Sequence, residues 1–171
     1  MTQITSAVAA KRLRKLNDER DALLTMELKS RTFVAAVQED VESVRPAYDY
    51  RAAQDALTEV EGKIRRLKHA INCFNCTYVL PEFDMTIDQM LVYLPQLTAR
   101  MNKLDDMRSK LPRERVRESF NRGSNIIDYE YANYDITLAR ADYDLVADEL
   151  ARAQNALDTA NTTVFFEVDL E

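Results

Sequence analysis

This sequence predicts a mainly α fold: an antiparallel coiled-coil-like four-helix bundle with a small two-stranded β element near the C-terminus. Three observations carry that expectation. The first is a heptad row, Tyr50, Ala53, Leu57, Val60, Ile64, Leu67, Ile71, Phe74 and Tyr78, whose spacings alternate between three and four. A period of about 3.5 residues keeps one narrow seam facing a partner helix. The second is a matching row, Ile136, Ala139, Tyr143, Val146, Leu150, Ala153, Leu157 and Ala160. The third is the scarcity of turn residues. The 171 residues include two Gly and four Pro, so the elements must be few and long.

The elements follow in order along one elongated helical domain, 1–171. A first helix is expected over about 5–37, with Thr5 or Ser6 as a cap whose oxygen satisfies an early backbone N–H. Its apolar set includes Val8, Leu13, Leu16, Leu23, Leu24 and Leu28. Arg20 interrupts this set and is read as a stem lying along apolar surface with its head in water. The acidic segment 38–48, with Pro46, reads as a connection. The second helix spans about 48–76 and carries Gly62, at a cost of about 1 kcal/mol relative to Ala. A close helix approach is the expected reason. Val79-Leu80-Pro81 ends it.

The third helix, about 86–111, has the clearest start. Thr86 and Gln89 fit a capping box, and Met85 and Met90 stand where a hydrophobic staple would. Ile87, Met90, Leu94, Leu97, Met101, Leu104 and Leu111 form its stripe, and Pro95 is expected to kink it. Residues 113–124 read as a basic, polar connection. A strand follows over about 125–134, where Ile127, Tyr129 and Tyr131 alternate with acids. Asp135 then caps a fourth helix over about 136–160. Val164, Phe166, Val168 and Leu170 share one face of a second strand, about 162–170. The two strands are expected to pair with each other or with a neighbouring subunit, since a lone ribbon is marginal in water.

Apolar residues make up 46% and charged residues 30%, too apolar for disorder and too charged for a membrane protein. No stretch approaches the roughly 18–20 apolar residues that span a bilayer. Lys11, Arg12, Arg14 and Lys15 follow the N-terminal residues at once, so no signal peptide is expected. Cytoplasmic residence is the expectation. The net charge of −6 is uneven. Residues 128–171 hold eleven acids and two bases, a net of −9, which leaves +3 on residues 1–127. Such asymmetry suits docking within or between chains, although an ordinary solvated surface explains it as well.

The sharpest chemical constellation is His69, Cys73 and Cys76, whose spacings of four and three put all three on one helix face. Zinc takes Cys and His ligands, with a carboxylate, a water or another chain as the fourth. Structural zinc sites usually draw ligands from two segments, and no further Cys or His exists here, so helix packing is the plainer role. Redox dithiols sit at helix N-termini, whereas this pair lies near a helix C-terminus, where the dipole does not favour a thiolate. Asn72 and Asn75 form a polar helix-end motif that either lines a small site, caps the helix or fixes register. Arg108, Lys110, Arg113, Arg115, Arg117 and Arg122 make a basic stretch. It could meet anions or nucleic acid, but with Phe120 as its only aromatic it is poor for base stacking. Docking on the acidic C-terminal region fits it better.

Tyr129, Tyr131, Tyr134 and Tyr143, with Phe165 and Phe166, make an aromatic group. With Val168, Tyr129, Tyr131 and Phe166 are the candidate interface residues; a small-molecule pocket or a satisfied local core are the other readings of the group. Neighbouring acids such as Asp105-Asp106 cannot face each other on a helix. There is no phosphate loop, nucleotide-binding glycine pattern or nucleophile elbow. No catalytic residue and no resident cofactor are therefore expected, zinc at His69, Cys73 and Cys76 being the one alternative.

Several segments resemble the septicolysin-like family, small bacterial proteins of largely unknown function. Ile71-Asn72-Cys73-Phe74-Asn75-Cys76-Thr77 resembles its Ile-Asn-x-x-Asn motif after a long acidic helix. Thr86-Ile87-Asp88 to Leu104 resembles its next helix start, and Tyr129 to Asp135 its strand leading into an acidic cap. Leu157-Asp158 with Asn161-Thr162-Thr163 resembles its C-terminal ending. The resemblance covers about 50–171. The two cysteines and Pro95 depart from it. It implies a helical hairpin protein that assembles into a homo-oligomer, such as a ring. The family name implies a cytolysin, but this chain has no long apolar segment or amphipathic hairpin to insert.

The expected function is thus a non-enzymatic, self-associating helical protein whose partner is itself. The alternatives are metal binding at His69, Cys73 and Cys76, or anion and nucleic-acid binding through 108–122. Whether the helix seams pair within or between chains stays open.

Overall fold

The structure is a computed structural model that describes residues 1–116 and 128–169. The chain is mainly helical with small antiparallel two-stranded ribbons. Its elements are β1 (Thr2–Thr5), α1 (Ser6–Ser30), α2 (Val41–Val44), α3 (Tyr50–Thr77), β2 (Val79–Leu80), β3 (Met85–Thr86), α4 (Ile87–Ser109), β4 (Arg113–Arg115), β5 (Tyr129–Tyr131), α5 (Ile136–Thr163) and β6 (Phe165–Val168). They form two compact units, one of Met1–Tyr78 with Thr159–Glu171, the other of Val79–Asp158.

In the first unit α1 packs along α3. The Thr5 hydroxyl accepts from the Val8 N–H at 3.4 Å, and the Asp49 carboxylate accepts from the Ala52 N–H at 3.1 Å, so both helices start on a side-chain cap. The pair is antiparallel. Ala9, Leu13 and Leu16 near the start of α1 share a core with Leu67, Ala70 and Ile71 near the end of α3. At the other end Glu27 of α1 accepts from Tyr48 Oη at 2.8 Å and from Gln54 Nε2 at 2.7 Å. That carboxylate holds the Tyr48 phenol above its usual range, mainly through the hydrogen bond. The heptad row of α3 lies inward: Val60, Ile64, Leu67 and Phe74 are buried, Ala53, Leu57, Ile71 and Tyr78 half-buried, and only Tyr50 stays exposed. Burying Leu67 alone contributes about 1.5–3 kcal/mol.

β1 pairs antiparallel with β6, Thr2 opposite Val168 and Thr5 opposite Phe165. Ile4 and Val168 from the two strands complete the core with Ala9 and Leu67. The Phe166 ring stacks on Phe74 of α3 at 4.8 Å, and Phe74 stacks on Tyr78 at 5.3 Å. This packing is what a two-stranded ribbon needs to persist.

In the second unit the capping box at Thr86 is complete. The Gln89 N–H donates to Thr86 Oγ1 at 3.2 Å, and the Thr86 N–H donates to Gln89 Oε1 at 2.8 Å. Asp135 caps α5 by accepting from the Thr137 N–H at 2.7 Å. Ile87, Met90, Leu97 and Leu104 of α4 are buried, as are Ala139, Val146, Leu150, Ala153 and Leu157 of α5. The two helices run antiparallel, with Tyr93 near the start of α4 bonded to Glu149 far along α5. The Arg108 guanidinium near the end of α4 stands 3.6 Å from the Tyr143 ring centre near the start of α5. Helix α4 runs unbroken through Pro95. β2 and β3 form a tight hairpin whose turn places Asp84 at φ 51, a left-handed conformation that Asp tolerates better than most residues.

Several expectations are corrected. The first helix stops at Ser30, not near Val37, because Arg31-Thr32-Phe33-Val34 is poor in helix formers. The connection after it holds the one-turn α2, capped by Asp40, whose carboxylate accepts from the Glu42 N–H. The two anticipated strands do not pair with each other. β5 pairs with β4, in a segment read as a loop, and β6 pairs with β1, in residues read only as the approach to a helix. The partners that were missed, β1 with four residues and β4 with three, are too short for a period of two to stand out. A Cβ on Gly62 would meet only the ends of the Arg66 and Arg65 side chains, at 3.8 and 3.9 Å, so no close helix approach requires glycine there. Arg20 holds Asp21 at 2.8 Å. Ile127, Phe120, Arg117, Arg122 and Leu170 lie outside the described residues.

Candidate functional site

The last two turns of α3 carry the polar constellation. Phe74, stacked between Tyr78 and Phe166, fixes the inner side of this helix end. The outer side presents His69, Asn72, Cys73 and Cys76, all exposed. The Cys73 Sγ lies 3.5 Å from His69 Nε2 and 3.9 Å from Nδ1. Both cysteines are free thiols. Thr77 Oγ1 donates to the Cys73 carbonyl at 2.8 Å, which closes the final turn. The structure thus joins His69 to Cys73 but does not bring Cys76 to them. Among the described residues no group of three His, Cys, Asp or Glu side chains is placed to hold one ion. Asn72 and Asn75 do not cap the helix, which continues to Thr77. There the Tyr78 N–H donates to the Phe74 carbonyl at 2.9 Å.

Arg108, Lys110 and Arg113 of the basic stretch are engaged within their own unit. Arg108 holds Asp105 at 2.8 Å, and Lys110 stands 3.8 Å from Asp106. The Arg113 guanidinium sits 3.8 Å from the Tyr129 ring centre, a cation–π pair across the β4–β5 ribbon. The acids that answer these bases come from α4 itself, not from the acidic C-terminal region.

The aromatic group is divided. Tyr134 Oη donates to the Met107 carbonyl at 2.7 Å, and Tyr143 lies beneath Arg108. Phe165 and Phe166 belong to the other unit. Of the four candidate interface residues, Tyr129 and Tyr131 are exposed, the latter by 62%. Val168 is 2% exposed and Phe166 is stacked on Phe74, which leaves those two little surface for another chain. Tyr131 helps line a cleft of about 270 Å³ with Met107, Leu111, Tyr134, Glu114 and Glu130. Sequence reasoning missed the acids here, because Glu114 and Glu130 become cross-strand neighbours only once β4 pairs with β5.

Tyr93 Oη donates to Glu149 at 2.5 Å, and that hydrogen bond raises the phenol above its ordinary range. Glu59 is paired with Lys63 one turn along α3, which lowers its carboxyl below the usual value. The first pair ties α4 to α5, and the second lies within α3.

Among the described residues no helix is long and apolar enough to cross a membrane. Neither a protein-family model nor a curated protein matches this chain. The fold is similar to the crystal structure of a functionally unknown conserved protein from Corynebacterium diphtheriae. The two are 18% identical over 97% of this chain and 100% of that one, with a TM-score of 0.57, a likeness that establishes the fold and leaves the role open.

Proposed function

We propose that this chain is a non-enzymatic protein whose role is to associate with copies of itself into a homo-oligomer. One observation carries the reading. Leu138 and Leu145, one heptad apart on the outer side of α5, are 64% and 68% exposed, although the inner row of the same helix is already buried. Two leucines two turns apart on an outer face make the kind of row that a second helix covers. The surrounding charge favours a second copy as that cover. The C-terminal region holding α5 has a net charge of −9, while β4 presents Arg113 and Arg115 at its surface. The resemblance in 71–77 and 157–163 to the septicolysin-like family implies the same kind of assembly.

Light scattering on a size-exclusion peak at micromolar concentration tests this. The wild-type chain is expected at a multiple of its monomer mass. The double variant Leu138→Glu, Leu145→Glu is expected at the monomer mass with unchanged helicity. A monomeric wild type refutes the proposal.

A further inference from the structure

The antiparallel packing of α1 on α3 gathers charge at one end of the hairpin. Residues 1–17 and 62–78 hold eight bases and no acid, whereas 18–61 between them hold five bases and eleven acids. Ala9, Leu13 and Leu16 share a core with Leu67, Ala70 and Ile71, so the two acid-free segments lie side by side. Lys11, Arg12, Arg14 and Lys15 of α1 are thereby gathered with Lys63, Arg65, Arg66 and Lys68 of α3. We propose that this end of the hairpin docks on the phosphate backbone of duplex nucleic acid.

The side chains make a surface suited to anions. Arg12 and Lys15 share a cleft of about 270 Å³ with Lys63 across the helix pair, and Glu19 is the one acid that lines it. A Cβ at Gly62 would lie 3.8 and 3.9 Å from the guanidinium ends of Arg66 and Arg65, so two planar forks, each able to hold a phosphate bidentately, stand together on α3. Lys63 holds Glu59. Among the described residues, Lys11, Arg12, Arg14, Lys15, Arg65 and Lys68 have no acid within ion-pair distance. The β1–β6 ribbon beside them adds Glu167, followed by Asp169, too few to neutralise this end. Unpaired like charges repel one another. A polyanion removes that repulsion and gains from the release of its counterions.

The surroundings of the bases select the polyanion. Single strands stack their bases on rows of aromatic rings, and Phe165 is the one exposed aromatic of this end among the described residues. A lipid surface needs large apolar side chains beside the bases. Exposed Leu24, Met26, Leu28, Val34 and Val37 lie in the acidic half of the hairpin instead. A duplex needs neither, because Lys and Arg heads meet its closely spaced phosphates without reading sequence. The surface uses no residue of α5, so this proposal and the α5 leucines stand or fall separately.

Fluorescence anisotropy of a short labelled DNA duplex, titrated with the full-length chain, tests it. Binding is expected in the non-specific range, with Kd about 10⁻⁴–10⁻⁶ M near physiological salt. It should be equal for two unrelated sequences and weaken about 10²–10³-fold from about 50 to about 200 mM salt, as about four or five phosphate contacts require. The variant Lys15→Gln, Arg65→Gln, Arg66→Gln, all at exposed positions, is expected to reduce the salt slope by about three. Lys29→Gln, Arg31→Gln, Arg51→Gln removes the same charge from the acidic half and should leave the slope unchanged. Circular dichroism and light scattering accompany each variant. No binding at low salt, equal loss in the two variants, or equal or tighter binding of single-stranded DNA overturns the inference. A fall of the first variant to monomer mass also overturns it and gives the surface to a second copy. Binding of phosphatidylglycerol vesicles in place of the duplex overturns it in favour of a membrane.

Discussion

Gly62 gives α3 backbone freedom that its surroundings do not require, since a methyl group there would make only ordinary contacts with two flexible arginines. Gly62→Ala is expected to stabilise the protein by about 0.5–1 kcal/mol, read as a higher melting temperature. An unchanged or lower melting point would mean that the glycine serves a contact outside this chain. Tyr93 makes a different prediction. Its hydrogen bond to Glu149 raises the phenol in the folded state, so the folded chain holds that proton where the unfolded chain has released it. The contribution is complete below the ordinary tyrosine value near 10 and is lost as pH climbs through the raised one. Urea midpoints taken from pH 8 upward should fall for wild type and fall less for Tyr93→Phe. Legibility at this scale followed locality. Thr5, Thr86 with Gln89, and Asp135 could be read from sequence because a cap is made within three residues. The Glu114–Glu130 juxtaposition could not, because strand pairing creates it.

The helices and the ribbons differ in how the sequence encodes them. A heptad row repeats over eight turns of α3, and each repeat adds to the signal. β1 has four residues and its partner β6 lies far along the chain, while β2 and β3 have two residues each. The row on α3 therefore matched its burial almost residue for residue, while the strand pairing expected for 125–134 and 162–170 did not hold. The ribbon that was missed is not decoration. Ile4 on β1 is buried with Leu67 and Val168, so Ile4→Ala is expected to cost about 2–5 kcal/mol in urea unfolding. Gln3→Ala, one residue away and exposed, should cost little. Equal, small effects would mean that β1 is not part of the cooperative core.

At the scale of the molecule, one unit is inserted into the other along the chain: Val79–Asp158 separates Tyr78 from Thr159. Ending the chain after Thr163 removes β6 and is expected to strip hydrogen-exchange protection from the start of α1 and the end of α3, while the amides of α4 keep theirs. Simultaneous loss everywhere would show that the two units unfold as one. The sequence put His69 and Cys73 on one helix face by their spacing, whereas Leu138 and Leu145 fell outside its heptad row and were not singled out. Their exposure, and hence their availability to a second chain, depended on which helix faces the core had already taken.

The pairing of β1 with β6 also sets a clock on synthesis. Ile4 and Ala9 leave the ribosome long before Phe166 and Val168, the strand that covers them. At about 5–20 residues per second, β1 waits roughly 8–30 s for its partner. During that interval the inserted helices can already have formed, while the first-made apolar residues stay uncovered. A nascent chain stalled before residue 165 is therefore the species that a chaperone, or an aggregate, would capture.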